Sequence, residues 1–290
     1  MKNILALLLL LPFYLIAQTT SQVVNFETNE PIPFVNIWVK GSQVGTTSNV
    51  NGKFEIIAKP LDTLVFSAVG FKSKDLLFKN LENAILMNPS IEQLDEIVIR
   101  NPKFSVERNF AELKLRKYNK SWACGIVPWM VGSKIPYNIA FDETPFLKQI
   151  IVGTRSQIDN AKFGLRLYEG SDSLYENPLN SKAIYAVAKK GKREVEIDLQ
   201  DLWLQFPKDG LVLVFEFLII PENRYDYTVT MQETGTKENR ISYQPTFLIR
   251  DPKQLNATHT GYSNGRWRNA SSSFYNKPDS ELALQLIMTN

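Results

Sequence analysis

Alternation of apolar and polar residues, not helical spacing, runs through most of this chain. In FVNIWVK, Val35, Ile37 and Val39 alternate with Asn36, Trp38 and Lys40, the two-residue period of a half-buried strand. GKFEII and TLVFSAVGF add two more strands before residue 90. From Phe141 onward FLKQIIVG, FGLRLYEG, AIYAVA, REVEIDL, LVLVFEFLII, PTFLIR and LALQLIM read as strands, and turn clusters such as KKGKR and PKDG separate them. Val195, Ile197 and Leu199 alternate cleanly with Glu194, Glu196 and Asp198. LVLVFEFLII does not alternate, which suits a central strand covered on both faces. Its one charge, Glu216, is expected to be satisfied structurally, by an Arg such as Arg166. Short strands at this spacing predict an all-β chain. A small seven-stranded-type β-sandwich is expected over residues 20–90, a connector over 91–134, and a larger jelly-roll-like β-sandwich domain over 135–290.

The first residues break this pattern. One charge, Lys2, precedes an apolar run from Ile4 to Ala17 that is interrupted by Pro12. A spanning helix needs about 20 apolar residues, so residues 1–17 are expected to be a signal peptide that leaves no transmembrane segment in the mature chain. No Cys follows the run to take a lipid. The final LALQLIMTN reads as a core strand and not an appended sorting domain, which points to the periplasm or the periplasmic face of the outer membrane. Cleavage takes Lys2 from 33 basic residues set against 30 acidic ones, so the exported chain stays close to neutral. That balance lacks the basic face nucleic acid requires. With Cys124 as the single cysteine, no internal disulfide can form, and packed cores must hold the chain.

VGTTSNVNGKFEI, Val44 to Ile56, is the most polar knot in the first half. A helix-loop-helix calcium loop needs carboxylates at alternating positions before its Gly and a Glu six residues after it. Here those positions hold Thr47, Asn49, Asn51 and Ala58, none of them charged, so no metal is expected. Asn51-Gly52 tolerates positive φ and predicts a β-hairpin turn.

PIPFVNIWVKGSQVGTTSNVNGKFEI followed by DTLVFSAVGF resembles the carboxypeptidase regulatory-like domain, found at the N-terminus of many outer-membrane proteins of the Bacteroidota. The matching pattern is Glu-Pro-Ile-Pro, an alternating strand, Gly-Ser, Gly-Thr, Asn-x-x-Gly-x-Phe and Leu-x-Phe-Ser-x-x-Gly-Phe. Ser21 and Asn25 stand where Gly and Asp are common. The resemblance implies a non-catalytic sandwich that brings no peptidase residues despite the family's name. LDEIVIR, Leu94 to Arg100, follows where similar domains in TonB-dependent receptors meet an energy-coupling box, plug and barrel. Twenty-two membrane strands of about ten residues exceed the roughly 190 residues after Arg100, so a receptor barrel is excluded. LDEIVIR is then expected to be a linker strand. PKFSVERNFAELKLRKYNK, with six basic and two acidic side chains, is expected to be a solvated connector. IDLQDLWLQFPKDGLVLVFEFL resembles the C-terminal half of uncharacterised secreted proteins in which a jelly roll follows a regulatory-like domain.

Residues that carry chemistry are scarce. His259 is the only histidine; a zinc site with several His is impossible, and in NATHTGYSNG a solvent-facing imidazole is expected. Cys124 lies in apolar SWACGIVPW and is expected to be buried and structural. Paired carboxylates could cleave glycosides without His, yet Glu194 and Glu196 share one face of a strand as ordinary surface charge would. Trp129, Tyr262 and Trp267 fall in polar segments, where aromatic faces could stack on sugar rings, although core packing competes for them. The stretch Asp251 to Ser280 is long for a loop and is either a binding loop or a strand pair. The sequence therefore supports a non-enzymatic exported envelope protein acting as a binding or scaffolding module, with no catalytic residues, cofactor or metal. Its expected partner is an outer-membrane or other envelope protein, or a glycan, and not nucleic acid. The rival expectation is a glycan-binding module or carboxylate-dependent glycan-cleaving enzyme.

Overall fold

The structure, a computed structural model, describes residues 19–90, 105–126, 128–171, 178–251, 253–263, 266–269 and 280–290. The expected signal peptide and LDEIVIR lie outside the described residues. The chain is all-β, and among the described residues the helical pieces are short 3-10 turns.

The first seven strands are β1 (Thr19–Asn25), β2 (Asn36–Val39), β3 (Gly45–Thr47), β4 (Lys53–Ile56), β5 (Thr63–Ser67), β6 (Lys74–Leu77) and β7 (Ala84–Met87). They form two sheets, β4-β1-β7 and β3-β2-β5-β6, closed over a core that includes Val23, Ile37, Phe54, Phe66, Ile85 and Met87. The polar knot is a turn, as its Asn-Gly predicts. Asn49 Oδ1 accepts the N–H groups of Asn51 and Lys53 at 2.9 and 3.0 Å. Gly52 sits at φ 72°, where an added Cβ would lie 2.5 Å from the Val23 carbonyl oxygen. The expected hairpin is corrected, however: β3 pairs with β2 and β4 pairs with β1, so the turn carries the chain from one sheet to the other.

The remaining strands are β8 (Glu107–Phe110), β9 (Lys120–Cys124), β10 (Met130–Ile135), β11 (Phe146–Ser156), β12 (Ala161–Glu169), β13 (Ile184–Ala188) and β14 (Gly191–Asp198). They continue with β15 (Leu211–Phe217), β16 (Arg224–Thr230), β17 (Lys237–Arg250), β18 (Thr258–Ser263), β19 (Arg266–Asn269), β20 (Glu281–Leu282) and β21 (Leu284–Thr289). One sheet runs β13-β12-β15-β10-β18-β19. The facing sheet runs β16-β17-β11-β21-β8, with β14 beside β11 and with β9 and β20 beside β17. Between them lies a core that includes Ile150, Val152, Phe163, Phe215, Phe247 and Leu286.

The stretch expected to be a connector instead supplies β8, β9 and β10, and β10 pairs with both β15 and β18. Its apolar residues make no helical stripe because they are used one at a time. Phe110 and Trp122 pack on the main core, while Leu113 and Leu115 pack on Tyr118, Leu248 and Ala283.

All of β15 is buried, as its continuous apolar run predicts. Leu211, Leu213, Phe215 and Phe217 enter the sandwich core. Val212, Val214 and Glu216 face the other way, toward the first sandwich. The same contact changes the reading of β2. Its alternation predicts a half-buried strand, yet all four residues are buried, because Asn36 and Trp38 face the second sandwich.

Candidate functional site

The seam between the two sandwiches holds a cluster of buried polar side chains. β2, β3 and β5 bring Asn36, Trp38, Thr47 and Ser67 to the outer face of β12, β15 and β18. Glu216, 4% exposed, is ion-paired with Arg166, 6% exposed. Asn36 Nδ2 donates to Glu216 Oε1 at 2.9 Å, and Arg166 Nη1 donates to Ser67 Oγ at 3.1 Å. Thr47 Oγ1 donates to Asn36 Oδ1 at 3.1 Å and accepts the Ile219 N–H at 3.0 Å. Burial alone would lower the Arg166 pKa, but the carboxylate beside it raises it further, so the guanidinium stays charged. Gly164 makes room for the pair: a Cβ there would stand 2.6 Å from Glu216 Oε2.

Apolar contacts flank this network. Trp38 donates its indole N–H to the Tyr262 hydroxyl at 3.2 Å, the two rings meeting edge-on with centroids 5.2 Å apart. Trp267 packs edge-on against Tyr262 and Tyr168. At the other end Phe34 sits among Leu218, Ile220 and Tyr185. Burial pushes the Tyr185 and Tyr262 hydroxyls up from their ordinary pKa, so both remain neutral.

Of the three aromatics for which sugar stacking competes with core packing, Tyr262 and Trp267 are placed at this seam. Trp129 stacks on Phe217 at the margin of the main core, with ring centroids 5.1 Å apart. The stretch after Asp251 contains the strand pair β18–β19, with residues 270–279 outside the described residues. The Trp that the structure exposes is Trp203, 45% accessible at φ 50° after a 3-10 turn. Its surroundings, IDLQDLWLQF, read as mixed strand and turn, so the sequence carries no signal that sets it apart.

Cys124 is 1% exposed, and burial pushes its thiol well above the ordinary range, as its apolar neighbours predict. Glu194 and Glu196 lie exposed on β14, alternating with buried Val195 and Ile197. Among the described residues, no group of three or more His, Cys, Asp or Glu could hold a metal. Lys134, Tyr137, Lys208, Asn256 and Thr258 line an open cleft of about 520 Å³. Its two ammonium groups are already bonded, Lys134 to the Gly170 carbonyl and Lys208 to Asp142, each at 2.6 Å.

The expected solvent-facing imidazole is corrected. His259 is 2% exposed, edge-on to Trp122, and its Nε2 lies 3.5 Å from Ser280 Oγ. Its strand, β18, pairs with β10 and is covered by the second sheet, which a polar NATHTG string does not disclose. The neighbouring Glu281 carboxylate serves Arg250 and the backbone N–H groups of Leu255 and Ala257, so it is committed elsewhere. Desolvation holds the His259 pKa below its ordinary value, and Lys253 adds to this, while Ser280, Glu281 and Asp251 oppose it. The unfolded chain thus binds a proton that the folded chain refuses. Stability is fully present above the ordinary His pKa of about 6.5 and falls as pH drops below it. Urea midpoints measured from pH 7.5 to 5.0 are expected to decline, and His259→Gln is expected to flatten that decline.

Comparison with known proteins locates the first sandwich. Residues 20–99 match the model of the CarboxypepD_reg-like domain. Over 81 residues the chain is 35% identical to the TonB-dependent receptor SusC of Bacteroides thetaiotaomicron, a match covering 28% of this chain and 8% of that receptor. Among solved structures, that of the infectious bursal disease virus Gx strain aligns with 92% of this chain and 58% of its own. At 11% identity and a TM-score of 0.24 it carries no argument. Among the described residues no helix is long and apolar enough to cross a membrane.

Proposed function

We propose that the protein is a non-enzymatic, exported envelope module in which the regulatory-like sandwich and the larger sandwich act as one rigid scaffold that binds another envelope component. The observation that carries this reading is the seam. A domain of a non-catalytic family is joined to the second sandwich through a buried ion pair, an Asn-Thr-Ser network and the Trp38–Tyr262 contact. Such a joint holds two surfaces in fixed relation, which suits scaffolding. Among the described residues, the buried charged and imidazole groups Arg166, Glu216, Arg250, Glu281 and His259 are each placed in packing or ion pairing. The likeness to part of a TonB-dependent receptor supports an envelope setting, and within it the periplasm or the periplasmic face of the outer membrane.

The second reading, glycan binding, rests on one exposed ring, Trp203. One experiment separates the two. The protein, tagged at its C-terminus, is recovered from gently cross-linked cells after periplasm and membranes are separated. Co-purification of an envelope protein in stoichiometric amount supports the scaffold. Recovery without a protein partner, together with polysaccharide retention that Trp203→Ala abolishes and Trp267→Phe preserves, would replace it with the glycan reading.

A further inference from the structure

β16 pairs with β17 along its whole length, from Arg224 opposite Tyr243 to Thr230 opposite Lys237. Among the described residues its other edge pairs with nothing, and β17 from Lys237 to Ser242 pairs with β16 alone. A two-stranded ribbon therefore leaves the sandwich with both faces largely open to solvent. Such a ribbon is marginal in water by itself. Natural proteins blunt open edges with Pro, Lys, bulges or very short strands. β16, RYDYTVT, has seven residues, no Pro, no Lys and an unbroken register.

We propose that β16 is a self-pairing edge, and that two copies of this chain join by antiparallel β16–β16 pairing about a two-fold axis at Tyr227. The sequence of the strand is complementary to itself in this register. Tyr227 faces its own copy, Tyr225 faces Val229, Asp226 faces Thr228, and Arg224 faces Thr230. All seven residues find a partner and no like charges stand opposite each other. Arg224 and Asp226 already pair at 2.8 Å within the strand, so it brings no net charge to the contact. On one face Tyr225 and Tyr227 are stacked nearly parallel, at 7° with centroids 5.9 Å apart, and Tyr227 is 37% exposed. Pairing extends that stack into a row of Tyr, Tyr and Val from each copy, the aromatic and β-branched cross-strand pairs that stabilise sheets. The ribbon becomes the centre of a four-stranded sheet, which removes the exposed edge. This inference does not depend on the envelope reading.

Sedimentation velocity tests it directly. The protein is expected to show a concentration-dependent monomer–dimer equilibrium, and Tyr227→Lys, which sets like charges face to face at the axis, is expected to raise the dissociation constant about ten-fold or more. Residues opposite each other on antiparallel strands have Cα separations that a disulfide can span. Tyr227→Cys should therefore form a covalent dimer under mild oxidation, whereas Thr236→Cys beyond the paired strand should not; native Cys124 is buried. A monomer at every concentration, or a dimer that Tyr227→Lys leaves unchanged and Tyr227→Cys fails to trap, overturns the proposal.

Discussion

Arg166→Met is expected to destabilise the protein by about 3–5 kcal/mol, the usual effect of leaving one partner of a buried ion pair uncompensated. Glu216 would be left at 4% exposure without its guanidinium partner, with Asn36 still donating to it. The position offers little relief: β12 and β10 flank Glu216 on β15 at fixed register, and a Cβ at Gly164 would lie 2.6 Å from its Oε2. Arg166→Met combined with Glu216→Leu is expected to recover most of the loss, because apolar residues of similar volume replace such pairs at small cost. Urea denaturation of the three proteins, compared through midpoint and slope, measures this. A double variant as unstable as the single one would mean that the pair is worth more than its desolvation.

Glu281→Gln should be of similar size, about 3–5 kcal/mol. Arg250 and Glu281 are each 1% exposed and lie 2.7 Å apart. The carboxylate does more than balance the guanidinium: Oε1 accepts from Arg250 Nε at 2.8 Å and from the Leu255 N–H at 3.0 Å, and Oε2 accepts from the Ala257 N–H at 3.2 Å. A Gln of nearly the same shape removes the charge and turns one acceptor into a donor that faces backbone N–H groups, so the loss arises without any cavity. Residues 253–257, which this carboxylate holds against β17, are expected to lose amide exchange protection before the rest of the chain. Uniform loss of protection would indicate a purely global effect.

Much of the fold is legible in the sequence because strands with one wet face must alternate. The strings FLKQIIVG, FGLRLYEG, REVEIDL and LALQLIM correspond to β11, β12, β14 and β21. The strands that escape are those for which alternation has no cause. The first half of β17 exposes both faces, so KENRI looks like loop, whereas β16 alternates Tyr225, Tyr227 and Val229 with Asp226, Thr228 and Thr230 and is legible as a strand. β8 to β10 combine Gly, Ser and charged residues, and their register is imposed by neighbours distant in the chain. At the seam, Glu216 announces itself as a charge in an apolar run, and Arg166 is the partner chosen from sequence. Asn36, Thr47 and Ser67 do not, since short polar residues in a strand ordinarily face water. Trp38 reads as the wet face of β2 for the same reason, and only the presence of a second sandwich explains why a Trp stands there. The first sandwich is more legible than the second because its turn residues, Gly-Ser, Asn-x-x-Gly and Gly-Phe, fall at fixed offsets.

The central claim is that the two sandwiches are one body joined at the Arg166–Glu216 seam. Scanning calorimetry of the protein and of Arg166→Met tests it most directly. A single transition, with calorimetric and van't Hoff enthalpies equal, is expected for the protein, and a single transition at lower temperature for the variant. Two separate transitions in the protein, of which Arg166→Met leaves the one belonging to residues 20–90 unmoved, would contradict it.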